Sequence, residues 1–150
     1  MKLAEALIAR ADLKNKVTQI KLRMAQNVKV EEGDEPAEEA NTLFRRYDAL
    51  MAELEKIIIR INRTNAAIEM DGGTLADAIA KRDNLKAKIN TYRELIEKAS
   101  TLRERGYERT IKFVCCLDIS ELRKQADDLS MQYRELDTKM QGLNWTVNLL

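Results

Sequence analysis

The stretch RINRTNAAIEMDGGTLADAIAKRD, Arg60 to Asp83, joins two long amphipathic patterns through a double glycine, and how it is read decides the fold. Up to the glycines, Leu43, Tyr47, Leu50, Leu54, Ile57, Ile61, Thr64 and Ile68 recur at alternating intervals of four and three, the single stripe of a helix facing a partner. Beyond the glycines, Leu75, Ala78, Arg82, Leu85, Ile89, Tyr92, Ile96 and Ala99 carry the same period onward. Asp71-Gly72-Gly73 stops the first helix, because glycine accepts the left-handed backbone that closes a helix. Thr74 with Asp77 three residues later makes a capping box that starts the next one. The stretch therefore reads as the turn of an antiparallel hairpin between helices at about residues 36–70 and 74–105.

The same periodicity extends outward in both directions. Leu3, Ala6, Arg10, Leu13, Val17, Ile20 and Met24 predict a helix over about 2–26, with Arg10 as the polar break in its stripe. Asp118 and Glu121 repeat the capping pattern, and Ile119, Leu122, Ala126, Leu129, Tyr133, Leu136, Met140 and Leu143 predict a helix over about 118–142. Val28 to Glu31 continues a short alternation and reads as a strand, followed by a turn at Gly33 to Pro36, with Pro36 suited to the first position of a helix. YERTIKFVCCL, rich in β-formers, predicts a second strand at about 110–115. A lone strand needs a partner, so the two pieces are expected to form one ribbon, within the chain or exchanged with a neighbour. The expected fold class is mainly α, with elongated antiparallel helical hairpins, four-helix and coiled-coil-like, plus a short two-stranded β-ribbon, all in one domain spanning 1–150. A helix over 36–70 would be about 52 Å long, whereas a compact domain of this length is about 38 Å across. An elongated chain with seams this continuous is expected to cover them with another copy of itself.

Composition narrows the function. Twenty-six basic and 25 acidic side chains leave a net charge of +1, so no overall field selects nucleic acid or an anionic membrane. The chain contains no histidine, which removes the commonest general base and zinc ligand, and shows no phosphate loop, calcium loop or nucleophile elbow. No secretory signal is visible at the N-terminus, and the longest aliphatic run, Ile57 to Ile59, is far too short to span a bilayer. A cytoplasmic location is the expectation. Cys115 and Cys116 are adjacent and poorly placed for a mutual disulfide, so they read as reduced, small packing residues.

The polar residues around the hairpin turn form the candidate ligand-binding set: Asn62, Arg63, Asn65, Arg82 and Asp83. Arg82 falls on the apolar stripe of its helix, where a guanidinium is costly unless hydrogen-bonded, and the amides, Thr64 and Asp83 are the available acceptors. One reading is a buried polar layer that fixes register and oligomer state. The other is a small anion pocket that also uses Arg60 or Arg63. A metal site from Glu69, Asp71 and Asp77 would have oxygen donors at a spacing that matches no rule, so neither a metal nor a cofactor is predicted.

The segments MKLAEALIARADL, EGDEPAEEA, INRTNAA, DGGTLADAIAKRD, IKFV, QADDL and ELDTKMQGLNW resemble the septicolysin-like family of small uncharacterised bacterial proteins, across nearly the whole chain. That resemblance implies a membrane-active cytolysin. The residues themselves favour a non-enzymatic, self-assembling helical oligomer with no nucleic-acid partner and no membrane span. The alternatives are the membrane-active toxin and a small-anion-binding enzyme or sensor that uses the Asn62/Asn65/Arg82/Asp83 cluster.

Overall fold

The computed structural model describes residues 1–104 and 113–150, and side chains for 1–100 and 113–150. Its elements are helices α1 (Leu3–Asn27), α2 (Ala40–Ala67), α3 (Leu75–Glu104) and α4 (Ile119–Thr146), with strands β1 (Glu69–Met70) and β2 (Gly73–Thr74) between α2 and α3. The mainly α class with a short two-stranded antiparallel sheet is therefore what the chain adopts. Every residue of the four apolar stripes is buried or half-buried, which is the packing the three- and four-residue spacing requires.

The helix starts follow side-chain chemistry. At α3, the Thr74 hydroxyl donates to Asp77 Oδ2 at 2.7 Å, the Thr74 amide donates to the same oxygen at 2.8 Å, and the Asp77 amide donates to Thr74 Oγ1 at 3.2 Å. Free amides of the first turn are thereby satisfied on both sides. These bonds, the hydroxyl's first, hold the Asp77 carboxyl below its ordinary value, against a smaller effect of burial. At α4, Asp118 Oδ1 accepts from the Glu121 amide at 3.1 Å.

The sheet does not lie where alternation in the sequence placed it. Residues 28–31 form no strand, residues 110–112 of the expected second strand lie outside the described residues, and Phe113 to Cys115 are irregular. A four-residue alternation has no ladder to join without a neighbour, and here the chain is captured differently. Asn27 Nδ2 donates to the Arg23 carbonyl at 2.9 Å, and Asn27 Oδ1 accepts from the Glu38 amide at 3.0 Å. Arg23 Nε donates to Glu38 Oε2 at 2.8 Å, with a second bond from Arg23 Nη2 to Glu38 Oε1. The connector is thus folded back on α1. Pro36 consequently opens no helix, and α2 begins at Ala40.

The ladder forms instead at the double glycine, where Glu69 pairs with Thr74 and Met70 with Gly73. Asp71 (φ 50°) and Gly72 (φ 83°) both occupy the left-handed region, as a two-residue hairpin of the I′ type demands. α2 consequently ends at Ala67, the Ile68 amide donating to the Thr64 carbonyl, rather than running to the glycines.

Two compact units are present, Met1–Ile68 with Gly142–Leu150 and Glu69–Gln141. In the first, α1 packs on α2 around Leu3, Ala6, Ile20, Leu43, Leu54 and Ile61. The chain after α4 is stitched to the start of α1 by Leu3 N–H to the Val147 carbonyl and Leu149 N–H to the Met1 carbonyl, both 3.0 Å. In the second, Met70, Leu75, Ala78, Leu85, Ile89, Ala126, Leu136 and Met140 are buried. Side-chain bonds join Asp71 to Lys139, Arg82 to Asp137 and Arg93 to Ser130. Positions rise along one segment as they fall along the other, so α3 and α4 run antiparallel.

Candidate functional site

Arg82 has the half-buried position its stripe assigned, but its main interhelical partner comes from α4. Nε and Nη2 donate to Asp83 Oδ1 at 3.1 and 2.9 Å, and Nη1 donates to Asp137 Oδ1 at 3.4 Å. Burial works against the guanidinium's charge, but the hydrogen bond and field of Asp83, with the field of Asp137, outweigh it and raise its pKa. All three guanidinium nitrogens are engaged by carboxylates.

Asn62, Arg63 and Asn65 belong to the first unit, whereas Arg82 and Asp83 belong to the second. Asn62 and Arg63 are exposed and Asn65 is half-buried, and none of the three side chains makes a hydrogen bond among the described residues. Thr64 is wholly buried: its hydroxyl donates to the Arg60 carbonyl at 2.9 Å and accepts from the Leu150 amide at 3.0 Å. Arg60 Nε donates to Leu150 O at 2.8 Å. The Thr64–Arg60 end of α2 therefore holds the final residues of the sequence.

Asp71 bonds Lys139 at 3.1 Å and Asp77 is committed to Thr74, and among the described residues no group of carboxylates or thiols converges as a metal site. Cys115 and Cys116 do not serve as packing residues. Both are exposed free thiols, because Phe113 to Leu117 runs along the surface, with Cys115 Sγ donating to the Leu117 carbonyl at 3.3 Å.

A cleft of about 250 Å³ opens between α3 and α4, lined by Lys86, Ile89, Asn90, Arg93, Ser130, Tyr133 and Arg134. Three cations and no carboxylate border it. None of the lining residues is in the candidate set read from the sequence. The available signal was three basic residues, each one position past a stripe residue: Leu85, Tyr92 and Tyr133. Only the pairing of α3 with α4 converts that pattern into a cleft.

The fold and these sites define a mainly helical protein built on antiparallel helix pairs. The chain belongs to DUF6847, a family of unknown function, whose model matches residues 10–149. A crystal structure described as that of a functionally unknown conserved protein from Corynebacterium diphtheriae is similar throughout, with a TM-score of 0.94 and 36% sequence identity over 100% of this chain and 99% of that one. No curated protein matches. These findings correct the septicolysin-like resemblance, since neither points to that family. The segments that suggested it are mostly stripes, caps and a turn, features any heptad-patterned hairpin reuses. Among the described residues no helix is long and apolar enough to cross a membrane.

Proposed function

We propose that this chain acts by assembling with copies of itself, as a non-enzymatic helical oligomer of the cytoplasm. The observation that carries the reading is a second apolar set outside the buried stripes of the first unit. Met1, Ile8 and Leu22 are spaced by multiples of seven on or beside α1, and Phe44 and Met51 lie seven apart on α2, with the half-buried Ile58 seven further on. Ile8 is 54% exposed, Leu22 62% and Phe44 57%. Scattered apolar residues on a surface are ordinary, but a heptad recurrence on two helices is the pattern another helix covers.

Charge supports a second copy as the occupant. Residues 1–30 hold seven basic and two acidic side chains, net +5, whereas residues 31–39 hold six acids and no base, net −6. Glu38 is held by Arg23 of its own chain, but Glu31, Glu32, Asp34 and Glu35 are exposed and make no ion pair among the described residues; two-fold pairing sets these acids of each copy against the other's basic α1. A chain without histidine favours a non-enzymatic role, and two exposed free thiols suit a reducing compartment. Size-exclusion chromatography with light scattering tests the reading. A mass that is a multiple of 17.2 kDa is expected, and a monodisperse 17.2 kDa species at tens of micromolar overturns it.

A further inference from the structure

The cleft between α3 and α4 has the make-up of an anion site, and nothing in the self-assembly reading uses it. Lys86, Ile89, Asn90 and Arg93 stand at i, i+3, i+4 and i+7 on one face of α3, and Ser130, Tyr133 and Arg134 stand at i, i+3 and i+4 on the facing side of α4. Ile89 is buried and Tyr133 half-buried, while Lys86, Arg93 and Arg134 are exposed, so an apolar floor carries a cationic rim.

Three like charges around one cleft are uncompensated from within. Glu94 and Glu135 directly follow Arg93 and Arg134, and Glu97 stands one turn beyond Arg93, but none of them lines the cleft; Asp83 and Asp137, three residues from Lys86 and Arg134, are bonded to Arg82. Among the described residues Lys86 and Arg134 make no ion pair, and Arg93 Nη2 donates only to Ser130 Oγ, at a long 3.4 Å. The whole chain carries a net charge of only +1, so this concentration is local and does not reflect a generally basic surface. An anion entering the cleft relieves the mutual repulsion and gains charge-assisted hydrogen bonds, for which two guanidinium forks and an ammonium suit a phosphate's several oxygens.

We propose that this cleft binds a small phosphorylated metabolite, its phosphate held by Lys86, Arg93 and Arg134 and its carbon skeleton set on Ile89 and Tyr133. The volume of about 250 Å³ is compact, below the roughly 300 Å³ at which pockets for drug-sized ligands begin. Asn90 and Ser130 supply neutral polar groups for hydroxyls of the skeleton. The proposal stands on the second unit alone and is independent of self-association.

Isothermal titration calorimetry at physiological ionic strength, with a hexose phosphate, the unphosphorylated hexose and inorganic phosphate as probes, tests it. The hexose phosphate is expected to bind saturably and more tightly than inorganic phosphate, with the free hexose silent. Arg93→Gln and Arg134→Gln should each weaken it by about tenfold or more, the loss of one charge-assisted contact. Arg123→Gln, an exposed residue of α4 outside the cleft, should leave it unchanged. Circular dichroism confirms that each variant is folded, and if either cleft variant fails that check the other carries the test. Three results overturn the proposal: no saturable binding of either phosphate probe, equal weakening by Arg123→Gln, or inorganic phosphate binding as tightly as the hexose phosphate.

Discussion

Thr64 shows what a single polar residue in an apolar stripe does here. Its hydroxyl bonds a carbonyl one turn earlier in α2 and the amide of Leu150, so no polar atom is stranded. Thr64→Val keeps the shape and removes both bonds. A stability loss of about 1 kcal/mol is expected, with faster hydrogen exchange at the Leu150 amide; unchanged exchange would show that the bond does not hold the tail. Arg82 is a milder case because its partners are partly wet: the side chains of Asp83 and Asp137 are 61% and 31% exposed. Arg82→Ala is therefore expected to cost about 1 kcal/mol by denaturant titration, below the range for stranding fully buried charged groups. No loss at all would mean that the guanidinium is not a structural contact. That Thr64 and Arg82 need partners is legible from their stripe positions. Asp83, the neighbour of Arg82 in sequence, is legible as its acceptor and takes two of its bonds; Asp137 and Leu150 are not, because Asp137 lies 55 residues from Arg82 and Leu150 lies 86 from Thr64, and only the packed chain brings them together.

Among the elements, the helices were the most legible part, since burial follows the alternating spacing residue by residue along all four stripes. The ribbon was the least legible. Asp71-Gly72 carries a two-residue hairpin signal, but the same residues also end helices, and the local sequence does not say which use prevails. Gly72 at φ 83° has open space where a Cβ would sit, so Gly72→Ala meets only the backbone penalty of the left-handed region. A destabilisation of about 1–2 kcal/mol is expected, and a neutral result would argue against the hairpin geometry. The pH dependence belongs to this scale too. The Asp77 carboxyl lies below its ordinary 3.8 through the Thr74 bonds, and the Glu38 carboxyl lies below its ordinary 4.5 through the Arg23 hydrogen bond, with the fields of Arg23 and Arg46 adding and burial opposing. A depressed carboxyl contributes stability that is present above its unfolded value and is lost as pH falls through the folded one. Denaturant midpoints should therefore fall on acidification from about pH 5 to about pH 3. Thr74→Ala, which removes the hydroxyl's bonds, should lessen that fall while lowering stability at neutral pH by about 1 kcal/mol. An acid slope identical to the parent's would remove Asp77 from the account.

For the whole molecule, the inward stripes explain how each unit folds, and the outward apolar set on α1 and α2 is what remains after they are buried. Sequence periodicity reveals the inward stripes because the three- and four-residue spacing holds along each helix, with only Arg10, Thr64 and Arg82 as polar members. The outward set is interrupted, by Asn15 on α1, and becomes visible only once the buried faces are known. Family membership adds a full-length structural relative at 36% identity without adding a role. Self-association through this outward set is the central claim, and Phe44→Glu combined with Met51→Glu is its most direct test, because both side chains are exposed and neither is among the buried residues of the first unit. Sedimentation equilibrium on parent and double variant at matched concentration should give a parent mass above 17.2 kDa and a variant at 17.2 kDa with undiminished helical circular dichroism. A folded double variant that keeps the parent's oligomeric mass, or a parent already at 17.2 kDa, would contradict it.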